Sequence, residues 1–193
     1  MKKLFLVISI SICISHFIFY EYYKVTTVDG VSMRPNISDK QSYFYFNDFY
    51  KNNHINRGDI VFINVKNKDY YRVKRVVGLP DDIIEMNKGI LIINEIPKTI
   101  DKELEMNIYE EKINESKSYK ILNVSKNDEE DNFNKIKIPH GFYFVLGDNR
   151  EDSLDSREFG LISKKDILHK LVTETHFIYH LSGYFFTLSN MFK

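Results

Sequence analysis

Ser32 and Lys74 are the two side chains of this sequence whose combination could do chemistry. A serine hydroxyl attacks a carbonyl only when a neighbouring group removes its proton, and no His–Asp arrangement stands out near Ser32. A lysine can be that base when its amine is neutral, which requires its pKa of about 10.4 to fall by about two or more units. Burial among apolar groups lowers a lysine pKa in this way. The pair predicts nucleophilic attack on a carbonyl, provided that folding brings both side chains together in an apolar place.

Each of the two residues also has an ordinary structural interpretation. Ser32 lies in the apolar, turn-like stretch VDGVSMRPNI (28–37), where a serine is usually a turn residue. Lys74 lies in YYRVKRVV (70–77), where alternate residues face opposite sides of a strand. A lysine on a solvated strand face is the ordinary alternative there. The alternation places Lys74 and Arg75 on opposite sides, so one cation can be desolvated near a nucleophile while the other pairs with an acid.

A polar loop, GDNREDSLDSREFG (147–160), supplies groups that could support such a base. Ser153, Asp155 and Arg157 are spaced two apart, so they share one side of an extended segment. A hydroxyl on that side could hydrogen-bond a neutral lysine amine and orient it. An Asp–Arg pair could hold the loop rigid.

The elements that must position these groups have the pattern of short strands. Several apolar, β-branched runs are bounded by Gly, Pro, Asn and Asp, which indicates an antiparallel β fold. The runs span residues 57–65, 70–80, 89–98 and 141–149, and a short turn leading into a strand is expected over 163–172. Residues 101–135 are rich in acidic, Asn and Ser side chains and predict a solvated polar insertion or small subdomain.

The N-terminus begins with two lysines, and an apolar stretch follows from Leu4 to about Tyr20. Its length is near the lower limit for a membrane-spanning helix. A cleaved signal peptide would end in small residues, but large residues occupy FIFYEYYK here. The pattern therefore favours a retained transmembrane anchor over residues 1–24. Lys2 and Lys3 would keep the N-terminus cytoplasmic, with residues 25–193 on the opposite side.

Composition excludes several classes of function. Lys+Arg and Asp+Glu both number 27, so the chain has no overall basic field for nucleic acid. One cysteine excludes an intramolecular disulfide, and the histidines form no convincing metal-ligand spacing. We therefore expect no metal, no other cofactor and no nucleic-acid partner.

Four stretches taken together resemble the consecutive sequence boxes of type I signal peptidases. They are GVSMRP, RGDIVFI, YYRVKRVVGLP and GDNREDSLDSREFG, in that order after an apolar N-terminus. Members of that family are membrane-anchored Ser–Lys endopeptidases that remove signal peptides from exported proteins. The resemblance implies a mainly β, antiparallel and barrel-like catalytic domain with one N-terminal transmembrane helix and a small insertion.

The resemblance also implies roles for individual residues. Ser32 would be the nucleophile, Lys74 the general base, and Ser153 the hydroxyl that orients the lysine. A salt-bridge network behind the site would contain Arg75, Asp155 and Arg157.

The expected oxyanion hole differs from that of some members of the family in its second hydrogen-bond donor. The backbone N–H of Ser32 would form one donor, while the serine that gives some members a second donor is replaced by Gly30. Three further departures leave the dyad in place: Asp81 and Glu95 replace glycines in turns, and Asn36 replaces a threonine.

The resemblance implies an extended peptide bound beside the strands by β-augmentation, with small residues in two shallow apolar pockets. The reaction would pass through an acyl-enzyme. Partners would be signal-peptide-bearing preproteins and the lipid bilayer, and we expect a monomer, single-pass in the cell (inner) membrane. Residues expected to bind substrate are Val28, Gly30, Met33, Ile37 and Val73, and core packing is the alternative for the apolar ones.

Three other interpretations compete with a bacterial signal peptidase. A self-cleaving SOS-type repressor would share the Ser–Lys chemistry, but the apolar N-terminus argues against it. A catalytically inactive relative could act as a membrane-bound assembly factor or chaperone, although such a protein would be expected to lose the serine or the lysine. A mitochondrial inner-membrane-type peptidase is the third, and the start of the last box looks more bacterial.

Overall fold

The structure, a computed structural model, describes residues 7–15, 23–46, 50, 53–65, 71–105, 107–115, 117–122 and 132–172. Short β-strands dominate this part of the chain, as the β-branched runs and the turn residues between them predict. In chain order they are β1 (Tyr23–Val28), β2 (Gln41–Phe46), β3 (Ile60–Asn64), β4 (Tyr71–Gly78), β5 (Ile83–Asn87), β6 (Ile90–Ile93), β7 (Ile96–Pro97), β8 (Thr99–Glu105), β9 (Ile108–Lys112), β10 (Ser118–Leu122), β11 (Phe133–Lys137), β12 (Phe142–Leu146), β13 (Ile162–Ser163) and β14 (Ile167–Val172).

Helical structure is limited in the same residues. Residues 7–15 form helix α1, whose side chains are exposed. A four-residue helix, α2 (Ser156–Phe159), follows the polar loop, and a 3₁₀ turn (Lys164–Asp166) precedes β14, as expected. Among the described residues, no helix is both long and apolar enough to cross a membrane. Residues 1–6 and 16–22 of the predicted anchor lie outside the described residues, as does the segment from residue 173 onward, while residues 23–24 begin β1.

The strands form three antiparallel sheets, which confirms the mainly β, antiparallel prediction. The largest has the order β1-β2-β14-β3-β4-β12-β13, and the others are β11-β5-β6-β7 and β10-β9-β8. The barrel-like expectation is corrected, because in the described residues the seven-stranded order begins at β1 and ends at β13 without closing on itself. The central position of β4 in this sheet matters most, since β4 carries the lysine of interest.

Strand alternation divides the core into three apolar clusters. On β4, Val76 packs into one cluster with Val61 and Val145, while its neighbour Val77 packs into another with Phe144. The third cluster lies under the segment that carries Ser32 and contains Val28, Met33, Ile37, Tyr43, Ile60, Phe62 and Leu171. Both sides of β4 are therefore covered, and a polar side chain on this strand is removed from water.

One predicted strand is in fact a hairpin. Residues 89–98 form β6 and β7, joined by a turn in which Asn94 and Glu95 both have positive φ, +52° and +67°. The turn that the family resemblance placed at Glu95 is therefore present, and it divides the predicted strand in two. Asp81 also has positive φ (+71°), in the turn after β4, a conformation that Asp tolerates better than most residues.

The described part of residues 101–135, predicted as a polar insertion or small subdomain, divides between two sheets. The described residues of 101–122 contribute to the three-stranded sheet β8–β10, and three of their side chains, Tyr109, Glu111 and Ile121, are buried. The end of the predicted insertion belongs elsewhere, since β11 pairs with β5 in the four-stranded sheet. One carboxylate of this acidic segment, that of Glu111, is buried in an ion pair.

Gly78, the last residue of β4, allows two layers to approach closely. A Cβ atom there would lie 2.4 Å from Ile138 Cδ1 and 3.0 Å from Phe144 Cβ. We expect Gly78→Ala to lower the free energy of unfolding by about 1–3 kcal/mol through overpacking. Urea unfolding at neutral pH measures this loss.

Ile138→Val provides the control for this prediction, because valine lacks the Cδ1 atom that the new methyl would meet. The double variant Gly78→Ala/Ile138→Val should lose less than the sum of the two single losses. Strict additivity would contradict the packing explanation.

Candidate active site

Ser32 lies in the segment that links β1 to β2, just beyond the end of β1. The chain makes a tight turn there, with Arg34 N–H donating to Val31 O (3.1 Å) and Ile37 N–H to Met33 O (2.9 Å). Met33 and Ile37 bury their side chains in the third cluster and hold the turn to the sheet. Ser32 remains half-buried, with its hydroxyl directed to β4.

Lys74 reaches this hydroxyl from β4. Its Nζ lies 2.7 Å from Ser32 Oγ and 3.0 Å from the carbonyl oxygen of Val73. The side chain is only 1% exposed. Burial lowers the pKa of Lys74 from 10.5 to about 8, although the carboxylate of Asp155 acts in the opposite direction. A substantial fraction of the lysine is therefore neutral near pH 8, the form that can accept a proton.

Arg75 pairs with an acid behind the site, as the alternation on β4 predicted, but the acid is not the expected one. Its Nε and Nη2 donate to the two carboxylate oxygens of Asp148, both at 2.7 Å. Nη1 donates to Gly58 O (2.9 Å), and the ring of Tyr119 lies 4.0 Å from the guanidinium carbon. Asp148, in the Gly-Asp-Asn turn, was not assigned a role from the sequence.

Asp155 and Arg157 form a second ion pair, separate from that of Arg75. Arg157 Nε donates to Asp155 Oδ1 at 2.9 Å. Asp155 also caps helix α2 and accepts a hydrogen bond from Gly147 N–H (2.9 Å). Arg157 Nη2 donates to Arg150 O (2.6 Å). The predicted single network is therefore two units, and this one ties the two ends of the polar loop together.

Ser153 makes no hydrogen bond to Lys74 in this structure, so its orienting role stays a prediction. Its hydroxyl is buried and has no hydrogen-bond partner within the described residues. The side chain packs against Gly147, where an added Cβ would lie 2.0 Å from Ser153 Oγ and 2.6 Å from Ser32 O. Ser153 is therefore close to the Ser32 backbone, but the amine of Lys74 contacts Ser32 and Val73 instead.

Two asparagines that were not predicted as site residues, Asn149 and Asn36, hold the segment around Ser32. Asn149 N–H donates to Ser32 O (3.0 Å), and its Nδ2 donates to Val31 O (3.3 Å). Asn36 Nδ2 donates to Asp148 Oδ2 (2.8 Å) and to Lys120 O (2.6 Å). In the sequence, the amide side chains of Asn36 and Asn149 were the only signal for these hydrogen bonds. An amide can bond to many groups, so the sequence did not identify the partners.

The apolar residues predicted to bind substrate are mainly core. Met33 and Ile37 are fully buried and Val28 is nearly so, all within the third cluster, while Val73 packs half-buried against it. The packing alternative therefore holds for Met33 and Ile37, because they expose no surface to a peptide.

Gly30 is exposed and has a φ of +112°. Its N–H donates to Asp39 Oδ1 (2.8 Å), which closes the base of the loop that carries Ser32. Gly30 therefore supplies no second oxyanion donor here, because its one N–H is already engaged.

Known proteins carry the same sequence pattern. The profile of the family described as "Signal peptidase, peptidase S26" matches residues 1–177. The chain belongs to this family. A signal peptidase I of Bacillus amyloliquefaciens is 34% identical over 178 residues, covering 86% of this chain and 80% of that protein.

Further members of the family have similar identity. Signal peptidase I P of Bacillus subtilis subsp. natto is 35% identical over 170 residues, covering 86% of this chain and 81% of that protein. Signal peptidase I S of Bacillus subtilis (strain 168) is 34% identical over 179 residues, covering 86% and 82%. A signal peptidase I from Enterococcus faecalis V583 has a crystal structure that aligns with 62% of this chain and 98% of its own. The sequence identity is 24% and the TM-score is 0.42.

Membership makes this chain a serine peptidase, that is, a hydrolase. The sequence resemblance to signal peptidases is confirmed.

The buried amine of Lys74 should lower the stability of this peptidase. A fall in pKa from 10.5 to about 8 corresponds to about 3 kcal/mol of disfavoured charge in the folded state. This cost is complete below pH 8, where both folded and unfolded states hold the proton. It declines between pH 8 and 10.5, where the unfolded state holds more protons than the folded state.

We expect Lys74→Met to raise the free energy of unfolding at pH 7 by about 1–3 kcal/mol, because methionine fills the same space without a charge. Urea unfolding at pH 7 and pH 10 measures the gain, which should shrink at pH 10. Lys137→Met, at an exposed lysine on β11, is the control and should change little. A Lys74→Met protein less stable than the wild type at pH 7 would contradict this account.

Proposed function

We propose that this protein is a membrane-bound signal peptidase that removes N-terminal signal peptides from exported preproteins by a Ser32/Lys74 dyad. The observation that carries the proposal is the 2.7 Å distance between a buried lysine amine and the serine hydroxyl. The lowered pKa of Lys74 supports the same role, since only the neutral amine can accept the serine proton.

In the proposed reaction, neutral Lys74 takes the proton of Ser32 as Oγ attacks the carbonyl carbon of the scissile peptide bond. The tetrahedral intermediate collapses to an acyl ester on Ser32, and Lys74 returns the proton to the leaving amine. Lys74 then removes a proton from water, which attacks the ester. Hydrolysis releases the acid product and restores the hydroxyl.

The backbone N–H of Ser32 is the proposed donor to the oxyanion. It has no hydrogen-bond partner among the described residues, whereas the Ser32 carbonyl is held by Asn149. An engaged N–H could not stabilise the developing charge, so this availability supports the assignment.

The proposed substrate is an extended peptide that adds to the seven-stranded sheet. Strand β1 stands first in the strand order of this sheet and pairs with β2 in the described residues, so an extended peptide could add beside it by β-augmentation. β1 leads directly into the loop that carries Ser32, so a peptide along this edge would approach the hydroxyl.

We also propose that residues 1–24 anchor the protein in the cell membrane with the N-terminus cytoplasmic. The exposed apolar side chains of α1, including Val7, Ile10 and Ile14, support contact with lipid. Anchoring would concentrate the enzyme with substrates that are themselves inserted in the same bilayer.

Cleavage of a synthetic signal peptide with small residues before the scissile bond tests the dyad. We expect Ser32→Ala and Lys74→Ala each to lose about a thousandfold or more in kcat, because the first removes the nucleophile and the second its base. Ser38→Ala, at an exposed serine in the same loop, and Lys137→Ala are matched controls that should retain activity. Full cleavage by either dyad variant would exclude the mechanism.

The same assay distinguishes the inactive alternative. An assembly factor or chaperone would leave the peptide intact even as wild-type protein. Both reactive side chains are present and in contact, which favours the enzyme.

The activity should depend on pH through Lys74. Protonated Lys74 cannot accept a proton, so kcat/KM should rise about tenfold per pH unit below the pKa and level off above it. We expect the midpoint near pH 8. A profile that is flat from pH 6 to pH 9 would contradict the assignment of Lys74 as the base.

A further inference from the structure

Glu111 is a buried acid in a segment of polar composition. It lies on β9 and is 1% exposed, and its Oε1 accepts a hydrogen bond from Arg150 Nη2 at 2.7 Å. Arg150, in the polar loop, is 2% exposed. Two buried charges persist together because each compensates the other, and removing one leaves the other uncompensated.

The neighbouring strand strengthens this contact. Tyr119 on β10 donates its hydroxyl to the same Oε1 of Glu111. Its ring lies against the guanidinium of Arg75, which is paired with Asp148. The sheet β8–β10 therefore contacts two buried cations, one on β4 and one in the polar loop.

Arg150 in turn shapes the turn formed by residues 147–150. Its Nε donates to Gly147 O (3.0 Å), which closes the turn from the side-chain side. Leu122, at the end of β10, closes it from the backbone side, donating from N–H to Asp148 O (2.8 Å) and accepting from Arg150 N–H (2.9 Å). Within this turn, Asn149 N–H donates to Ser32 O.

We infer that Glu111 is a positioning residue for the peptidase reaction, acting through Arg150 and the 147–150 turn on the backbone of Ser32. The inference rests on the proposed Ser32/Lys74 dyad and adds a group outside every sequence motif of the site. Without the Glu111 carboxylate, the Arg150 guanidinium would move towards water and release Gly147 O. The Asn149 contact would loosen, and Ser32 would spend less time against Lys74.

The experiment compares Glu111→Ala and Glu111→Gln with the wild type on the synthetic signal peptide. We expect Glu111→Ala to lower kcat about tenfold with KM within about twofold, since the substrate edge at β1 is not altered. Glu111→Gln should lose about threefold, because its amide oxygen still accepts from Arg150. Glu110→Gln, at the adjacent residue on the opposite side of β9, is the control and should keep wild-type kcat.

Thermal unfolding separates positioning from folding. Each kcat is expressed per folded molecule at a temperature well below the transition, so a residue that only stabilises the fold would leave this value unchanged. The pH midpoint should stay near 8, because the largest effects on the pKa of Lys74 come from burial and from Asp155, Arg72, Asp148 and Arg157, which these variants keep. If Glu111→Ala does not fold, wild-type kcat in Glu111→Gln overturns the inference.

A double-variant cycle tests the route through Arg150. Glu111→Gln combined with Arg150→Gln should lose no more kcat than Arg150→Gln alone, and losses that multiply would overturn the route. Ser32→Ala and Lys74→Ala are measured in parallel. Activity in either dyad variant would contradict both the proposed function and this inference. If the dyad variants are inactive but the Glu111 variants keep wild-type kcat, only the inference is contradicted.

Discussion

Burial of the Lys74 amine is the constraint on which the rest of this structure depends. An ammonium in an apolar setting is unfavourable, so the lysine releases its proton more readily than in water. The setting requires strand β4 to be covered on both sides, which the apolar clusters around Val76 and Val77 provide. A central strand in an antiparallel sheet is therefore a condition for the proposed chemistry, since an edge strand would leave the amine in water.

The carboxylates near Lys74 are paired with arginines, and neither Asp148 nor Asp155 forms an ion pair with the lysine amine. Arg75 and Asp148 neutralise each other through two hydrogen bonds, and Asp155 is held by Arg157. Each carboxylate still acts on Lys74 at longer range and raises its pKa, while burial lowers it more. The contact with Ser32 follows from this pairing, because a free carboxylate beside the amine would hold it in the charged form.

The polar loop joins parts of the chain that lie far apart in sequence. It holds the Ser32 carbonyl through Asn149, β4 through Asp148, and the sheet β8–β10 through Arg150. Loops position reactive groups well when their polar atoms are paired internally, because each pair restricts the alternatives open to the others. Two buried polar atoms of this loop, the hydroxyl of Ser153 and Nη1 of Arg150, are exceptions and have no hydrogen-bond partner within the described residues.

By itself the sequence determined the antiparallel β class and the family, and it singled out Ser32 and Lys74 as candidates, because alternation, turn residues and ordered motifs are local signals. Their contact was visible only in the structure. The sequence predicted a single strand over 89–98, where Asn94 and Glu95 form the turn of a hairpin. It also did not reveal that Asp148 is the partner of Arg75, that Ser153 is unpaired, or that Glu111 is buried. Only the tertiary structure decided these, because a charged side chain looks the same in a sequence whether water or a distant opposite charge surrounds it.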